Sequence, residues 1–202
     1  PVFTDERITL TDSTVICEYL DDRYPTPALR PADAVARARV RWLEEFADTR
    51  MGEVFIWRLF NQLIIGPFVW GEPTDREILD RTLQHEIPHV LDYLESQVPA
   101  EAFLCGELSI ADVAIATFFR NARYARFEID GARWPVTAAF VDRVLALPSF
   151  TKLVPFEDAM MKTPPAEQRD ALRALGALRA LGAPLTRETF GTATPRRGMM
   201  KI

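Results

Sequence analysis

The order of apolar and polar positions divides the chain into a short mixed segment and a long helical one. Within residues 1–10, two apolar runs flank a polar turn at residues 5–7, which predicts two short strands. A helix is predicted to begin at Asp12 or Ser13, because both residue types are good N-caps. The proline-rich segment 24–31 predicts a linker. After this linker every clear element is helical.

The first helix after the linker is predicted to be long, with Asp33 as its N-cap and Gly66-Pro67 as its end. Its apolar residues recur every three or four positions, which is typical of one buried helix face. They are Val40, Leu43, Ala47, Met51 and Val54. Thr74-Asp75 predicts the start of the next helix, and its apolar side is expected to carry Leu79, Leu83, Ile87, Val90 and Leu94.

Residues 110–119 contain only two polar side chains, which predicts a central helix covered by the others. The preceding Ser109 and the acidic Asp112 have the form of a capping box, with Asp in place of the usual Glu. A catalytic serine–aspartate pair is the alternative, but no base lies near it in the sequence. Capping is therefore the preferred interpretation, since the amides of a buried helix start cannot reach water.

The remaining pattern completes a mostly α fold. Residues 136–147 and 150–161 predict two further helices, and the six-residue repeat within residues 171–182 predicts a helix punctuated by glycine. An irregular basic tail is expected to follow. The composition shifts predict three segments, residues 1–26, 32–163 and 164–202.

Composition narrows the class of protein. The chain is 48% hydrophobic and 26% charged over 202 residues, as expected for a globular protein. The net charge of −5 divides into +4 (seven basic, three acidic) for residues 166–202 and −9 (17 − 26) for residues 1–165. We therefore expect no nucleic-acid partner. No apolar stretch is long enough to span a bilayer, so we expect no membrane partner and a cytoplasmic location.

His85-Glu86-Ile87-Pro88-His89 matches the His-Glu-x-x-His pattern of zinc proteases. That chemistry needs both imidazoles on one helical face, and Pro88 lies between them, where proline removes a helical hydrogen bond and clashes with the preceding turn. These two are also the only histidines of the chain. We therefore expect no metal site here.

Asp12-Ser13 has two interpretations. One is an ordinary N-cap, which any helix can use. The other is a binding site, because a helix N-terminus with a free hydroxyl and exposed amides holds a carboxylate, and an adjacent Asp takes an ammonium group. Together they suit the zwitterionic end of an amino acid or peptide. The residue types alone favour the ordinary cap.

Four segments, in order, resemble the glutathione transferase family. Pro1-Val2 resembles the proline-led strand of its thioredoxin-like domain, and residues 10–20 (LTDSTVICEYL) its motif for the γ-glutamyl end of glutathione. Residues 108–112 resemble its capping box before the central helix, and residues 141–150 a segment joining two later helices. The resemblance covers about residues 1–160.

The resemblance implies an all-helical C-terminal bundle preceded by the second half of a thioredoxin-like α/β domain. It implies glutathione as co-substrate, with Asp12 and Ser13 holding the γ-glutamyl group and the backbone of Val2 the cysteinyl part. The thiol-activating residue is expected in a segment before residue 1, so no catalytic residue is assigned in this chain. A homodimer with its interface along the long helices is expected.

The resemblance also implies a subsite for a small hydrophobic electrophile against the long helix. Met51, Phe55 and Arg58 share a face of that helix at spacings of four and three residues. The alternative is that Met51 and Phe55 are core residues, while Arg58 suits an acidic electrophile. The enzymatic hypothesis is therefore glutathione conjugation, and the alternative is a non-catalytic binding or scaffold protein acting through its surface and basic tail.

Overall fold

A computed structural model describes residues 1–164 and 167–176, and the chain divides into two compact units, Pro1–Leu145 and Ala146–Ile202. The predicted segment boundaries at residues 26, 32 and 163 stay predictions. The second copy of the repeat and the basic tail fall in residues 177–202, outside the described residues.

The first unit opens with the predicted hairpin. Strands β1 (Val2–Thr4) and β2 (Thr9–Thr11) pair antiparallel. The Asp5 carboxylate forms the turn, because its Oδ1 accepts the backbone N–H groups of Arg7 at 2.8 Å and Ile8 at 3.0 Å. Helix α1 (Ser13–Arg23) follows and ends before the linker, as predicted.

The long helix begins as predicted and runs further. Helix α2 (Ala34–Phe46) is capped by Asp33, whose side chain accepts the Ala36 N–H, and continues into a π-helical segment, Ala47–Trp70. The predicted apolar face is confirmed as core. All five of its residues are at most 1% exposed: Val40, Leu43, Ala47, Met51 and Val54.

The prediction that Gly66-Pro67 ends this helix is wrong. Pro67 has no N–H, which in an i→i−5 pattern leaves the Gln62 carbonyl without its helical donor. The Thr74 hydroxyl donates to that carbonyl instead, at 3.0 Å. Gly66 keeps this turn uncrowded, because a Cβ there would lie 3.0 Å from the Asn61 carbonyl oxygen, which would have to shift by a few tenths of an ångström. The helix therefore continues to a left-handed Gly71 (φ 67°).

The next helical stretch contains a second irregularity. Helix α3 (Arg76–Arg81) passes through a π-helical turn (Thr82–Glu86) into α4 (Ile87–Gln97). This wider turn shifts the phase of the apolar face, so Leu83 is 39% exposed whereas Thr82 is fully buried. The prediction that Leu83 belongs to the buried side is therefore wrong, while Leu79 is buried as expected.

The predicted central helix is confirmed. Helix α5 (Ile110–Tyr124) packs against α2, the Ala47–Trp70 segment and α6 (Pro135–Leu145). Its start is sealed by Asp112, which is fully buried. The Asp112 Oδ2 accepts the N–H and the hydroxyl of Ser109 at 2.8 and 2.6 Å, and its Oδ1 accepts the Leu104 N–H at 2.8 Å. The capping interpretation of this motif is confirmed.

The second unit contains α7 (Pro148–Thr151), α8 (Val154–Lys162) and α9 (Gln168–Ala174) among its described residues. The single helix predicted over residues 150–161 is therefore interrupted, and α8 starts with a proline in its first turn, where the missing N–H costs nothing. Across residues 1–164 and 167–176, no helix has the length and apolar character needed to cross a bilayer.

Candidate functional site

The hairpin and α1 bring three predicted glutathione-binding residues to one place. Val2 pairs with Thr11 in the two-stranded sheet, and Thr11 directly precedes Asp12 and Ser13. The start of β1 therefore lies at the same end of the hairpin as the N-terminus of α1. Val2, Asp12 and Ser13 are all exposed. The three residues that were grouped from the sequence thus lie at one end of the hairpin, and all three are exposed.

Asp12 caps α1 with one carboxylate oxygen. Its Oδ1 accepts the N–H groups of Thr14 at 2.9 Å and Val15 at 3.1 Å, whereas its Oδ2 has no hydrogen bond to any residue that the structure describes. The backbone of Asp12 has φ 80° and ψ 127°, a conformation that costs a non-glycine residue about 1–3 kcal/mol. The carboxylate is therefore held in place by one oxygen, and the residue that follows it is the exposed Ser13. Chemically, this pair can accept an ammonium group and donate to a carboxylate.

A polar cluster of Asp5, Tyr19 and Arg23 fixes the hairpin to α1. The Tyr19 hydroxyl donates to Asp5 Oδ2 at 2.7 Å, and Arg23 donates to the Tyr19 oxygen at 2.7 Å and pairs with Asp5. The Tyr19 hydrogen bond, together with the turn amides and Arg23, lowers the pKa of Asp5 below its ordinary value, against the opposing effect of partial burial. This cluster was not predicted from the sequence. Its available signal was Tyr19 and Arg23 at i, i+4 spacing on one helix face, close to an acidic turn.

A second contact ties the start of α1 to α2. The Thr14 hydroxyl donates to Glu44 Oε1 at 2.7 Å. Glu44 is only 7% exposed, and burial raises the pKa of its carboxyl. Thr14 follows Ser13 directly, so this hydrogen bond holds the candidate site against the helical part of the first unit.

The predicted electrophile subsite is not open in the structure. Met51 and Phe55 are at most 1% exposed, and the Phe55 ring lies edge-on to Phe119 and Phe127, with centroids 5.0 and 5.9 Å away. Aromatic pairs of this kind stabilise a core. The structure thus places Met51 and Phe55 in the core, in agreement with the alternative interpretation.

Arg58, the third member of the predicted subsite, is partly exposed, but its guanidinium group already pairs with carboxylates of the same chain. It forms ion pairs with Glu53 and Glu86. Glu86 also pairs with Arg81, which places the acidic residue of the His-Glu-x-x-His pattern in an arginine cluster. His85 and His89 are both exposed, and within the described ranges no group of three His, Cys, Asp or Glu side chains is close enough to hold a metal ion.

Comparison with known proteins assigns this architecture. Residues 56–148 match the family model "Glutathione S-transferase, C-terminal domain". The chain is 28% identical over 158 residues to a probable maleylacetoacetate isomerase of Vibrio cholerae, covering 77% of this chain and 70% of that protein. It is 27% identical over 150 residues to a stringent starvation protein A homolog of Pasteurella multocida, covering 74% and 65%.

Comparison with a solved structure also indicates similarity to glutathione S-transferases. The fold matches a glutathione S-transferase from Rhodospirillum rubrum with a TM-score of 0.68 and 26% identity, covering 76% of this chain and 69% of that one. The matching family model and these similar proteins thus point to the glutathione S-transferases and their maleylacetoacetate isomerase-like relatives, and the mostly helical architecture with a short N-terminal sheet matches the glutathione S-transferase fold. Family relatives include transferases and isomerases, which supports glutathione-transferase-like enzyme activity in general.

Proposed function

We propose that the protein binds glutathione through the N-terminus of α1 and uses it to conjugate or isomerise a small hydrophobic electrophile. The observation that carries the proposal is the open cap of α1, where Asp12 uses only Oδ1 for the helix amides and the next residue, Ser13, is exposed. In this proposal Asp12 accepts the ammonium group of the γ-glutamyl residue, and Ser13 with the helix amides donates to its α-carboxylate.

The position of Val2 supports an extension of the site along the hairpin. Val2 stands opposite Thr11 at the start of β1, one residue away from the cap in the neighbouring strand. Glutathione continues from its γ-glutamyl end to a cysteinyl residue, and an extended peptide can pair with an exposed strand through its backbone. The proposal assigns this contact to the backbone of Val2.

The chemistry of the proposal begins with a glutathione thiolate, because the thiolate is the nucleophile. In conjugation, the thiolate sulfur forms a bond to a carbon of the electrophile while the bond from that carbon to its leaving group breaks, and the leaving group departs with the electron pair as the thiol proton passes to solvent. In isomerisation, the sulfur adds to a double bond and is expelled after rotation, so glutathione is regenerated. We propose that the group stabilising the thiolate lies in a segment before residue 1, and we assign no residue of this chain to that role.

A titration of the chain with glutathione tests the binding step. Isothermal titration calorimetry is expected to show saturable binding that Ser13→Ala weakens about tenfold, the typical effect of losing a hydrogen bond to a charged group. Ser96→Ala is the matched control, because Ser96 is an exposed helical serine whose hydroxyl donates only to the Tyr93 carbonyl within its own helix. Absence of binding, or equal weakening by both variants, would remove the proposal.

A thiol assay separates the two proposed reactions. Conjugation consumes one free thiol for each electrophile molecule, whereas isomerisation leaves the thiol concentration unchanged while the substrate absorbance shifts. The assay is run with the chain and with the full-length protein, should a preceding segment exist, so that the binding residues and the activating group are tested separately.

The alternative function is a non-catalytic member of the family. One observation favours it: the relative from Pasteurella multocida has a name that specifies no reaction. Saturable glutathione binding without turnover of any electrophile in the full-length protein would favour this alternative, since a fold does not determine a function.

The proposal includes a cytoplasmic homodimer that acts on small molecules. The similarity to glutathione S-transferases, which commonly form dimers, supports this part of the proposal. Sedimentation analysis of the purified chain tests it, with a mass near twice 22.9 kDa as the expected result and a monomer at all concentrations as the contrary one.

A further inference from the structure

One buried side chain of α2 forms a hydrogen bond to the first turn of α1. Glu44 is 7% exposed, and its Oε1 accepts the Thr14 hydroxyl at 2.7 Å. Thr14 also donates its backbone N–H to Asp12 Oδ1, at 2.9 Å. Thr14 therefore links two carboxylates, one buried in α2 and one exposed at the cap of α1.

The backbone conformation at the cap needs support from its surroundings. Asp12 has φ 80° and ψ 127°, a region in which a non-glycine residue persists only where neighbouring contacts enforce it. On its N-terminal side, Thr11 is held by pairing with Val2 in the hairpin. On its C-terminal side, the hydrogen bond between Thr14 and Glu44 holds the first turn against α2. Contacts from outside α1 thus fix the chain on both sides of the strained residue.

The hydrogen bond to Glu44 is strong enough to influence this conformation. A hydrogen bond to an ionised group contributes more than one between neutral groups, and its contribution is comparable in size to the strain of one such residue. Loss of the contact between Thr14 and Glu44 therefore removes about as much support as the strain requires. The first turn of α1 is then expected to relax, and the Asp12 carboxylate with it.

The charge of Glu44 does not serve the stability of the fold. Burial raises the pKa of its carboxyl, and the opposing effects of the Thr14 hydrogen bond and of Arg41 do not cancel this. A raised pKa means that folding disfavours the ionised carboxyl, so ionised Glu44 costs stability at neutral pH. Replacement of buried charged groups by apolar side chains of similar volume is often neutral or stabilising. Glu44→Met is therefore expected to fold and to be about as stable as the wild type.

We propose that Glu44 is a positioning residue for the cap of α1, and that through the Thr14 hydroxyl it holds the Asp12 carboxylate where an ammonium group binds. The identity of that ligand, the γ-glutamyl end of glutathione, rests on the proposed function. The positioning itself is a property of the unliganded chain. Glu44 acts through Thr14 and makes no contact with the ligand.

Amide hydrogen exchange measured by NMR tests the positioning without any ligand. The Val15 N–H donates to Asp12 Oδ1 at 3.1 Å, so its exchange rate reports whether the carboxylate keeps its place. Glu44→Met should accelerate the exchange of this amide several-fold. The Ile78 N–H, which donates to the Asp75 carboxylate at the start of α3, is the internal control and should exchange as in the wild type.

Two substitutions at Thr14 form a matched pair for glutathione binding. Thr14→Val keeps the shape of the side chain and removes the hydroxyl, whereas Thr14→Ser keeps the hydroxyl. Calorimetric titration should show about tenfold weaker glutathione binding for Thr14→Val and for Glu44→Met, and near wild-type binding for Thr14→Ser. The double variant should bind no more weakly than either single variant, because both groups act through one hydrogen bond.

The stability of each variant separates positioning from a merely structural role. Glu44→Met should weaken glutathione binding without lowering the urea denaturation midpoint, a combination that a loss of fold stability cannot produce. Glu18→Gln is the control for the contact between α1 and α2, because Glu18 pairs with Arg41 further along α1. This variant should leave the affinity for glutathione unchanged.

Three results would each overturn the proposal. They are wild-type glutathione affinity in Glu44→Met, equal loss of affinity in Thr14→Ser and Thr14→Val, and unchanged exchange of the Val15 amide in Glu44→Met. A wild-type chain that does not bind glutathione would remove the proposed function instead, and the exchange measurement would still decide whether Glu44 positions the cap.

Discussion

Two helix starts in the first unit have similar residues and different surroundings. At α5, every oxygen of the Asp112 carboxylate accepts a hydrogen bond, and both Ser109 and Asp112 are buried. At α1, Asp12 uses one oxygen for the helix amides and leaves the other open to solvent beside an exposed Ser13. The difference shows that exposure and unused hydrogen-bonding capacity, not residue type, separate a binding cap from a structural one.

The two helix starts should also differ in how much they contribute to the stability of the fold. A buried cap such as that of α5 contributes stability, because its removal leaves buried backbone N–H groups without acceptors. An open cap contributes little stability, and the strained backbone of Asp12 even costs some. Substitutions at α5 should therefore affect unfolding, and substitutions at α1 should affect ligand binding.

The largest expected effect is at Asp112. Asp112→Ala should lower the free energy of unfolding by about 3 kcal/mol, because three donors lose their acceptor, two of them backbone amides. Urea denaturation followed by circular dichroism measures this. Asp142→Ala is the control, since Asp142 forms an exposed pair with Arg123 and its loss should cost less than about 0.5 kcal/mol. Equal effects of the two substitutions would refute the sealed cap.

Substitution of Ser109 should lower the stability more than substitution of Ser13 does. Ser109→Ala should cost about 1–2 kcal/mol of stability, because the hydroxyl is buried and donates to Asp112. Ser13→Ala should change stability by less than about 0.5 kcal/mol, because its side chain is exposed. Denaturation midpoints of both variants measure the difference. A destabilisation by Ser13→Ala as large as that by Ser109→Ala would mean that α1 too has a structural cap.

The hairpin contact that supports the open cap should depend on pH. The pKa of Asp5 is lowered in the folded state, so its stabilising effect is fully present above its unfolded pKa of about 3.9 and is lost as pH falls through the lower folded value. The difference in Tm between the wild type and Asp5→Asn should be constant above about pH 5 and shrink below about pH 4. Thermal denaturation between pH 3 and 7 measures it, and a difference that grows on acidification would contradict the account.

At Asp12 two effects on stability are expected to oppose each other and leave a small net change. Asp12→Gly removes the strain at φ 80° together with the carboxylate cap, so the stability should stay within about 1 kcal/mol of the wild type. Asp33→Gly is the control, because Asp33 caps α2 from an ordinary extended conformation and has no strain to release. Denaturation should therefore find Asp33→Gly the less stable of the two, and the reverse order would argue against strain at Asp12.

The periodic and capping signals in the sequence were sufficient for most of the fold. The hairpin, the start of α1, the apolar face of the long helix and the capping box of α5 are local features, and the structure confirms each. The failures occur at Gly66-Pro67 and Leu83, where π-helical geometry changes the hydrogen-bond pattern and the phase of a helix face. A periodicity of 3.6 residues cannot predict such changes.

The candidate site was predictable only in part. Asp12 and Ser13 are adjacent in sequence, so a motif describes them. The support from Asp5 and the buried Glu44 depends on contacts 14 to 30 residues apart, between Tyr19 and Asp5 and between Thr14 and Glu44. The burial of Met51 and Phe55 likewise depends on α5 packing over them, which the spacing on one helix does not reveal.

We propose that the open N-terminus of α1 binds the γ-glutamyl end of glutathione. An NMR titration of the isotope-labelled chain with glutathione, and in parallel with cysteinylglycine, tests this most directly because the second peptide lacks only that end. We expect saturable shifts of the Ser13 and Thr14 amides with glutathione, no saturable shifts with cysteinylglycine, and an unaffected Ile110 amide at the start of α5. Identical shifts with the two peptides, or no shift at Ser13 and Thr14, would contradict it.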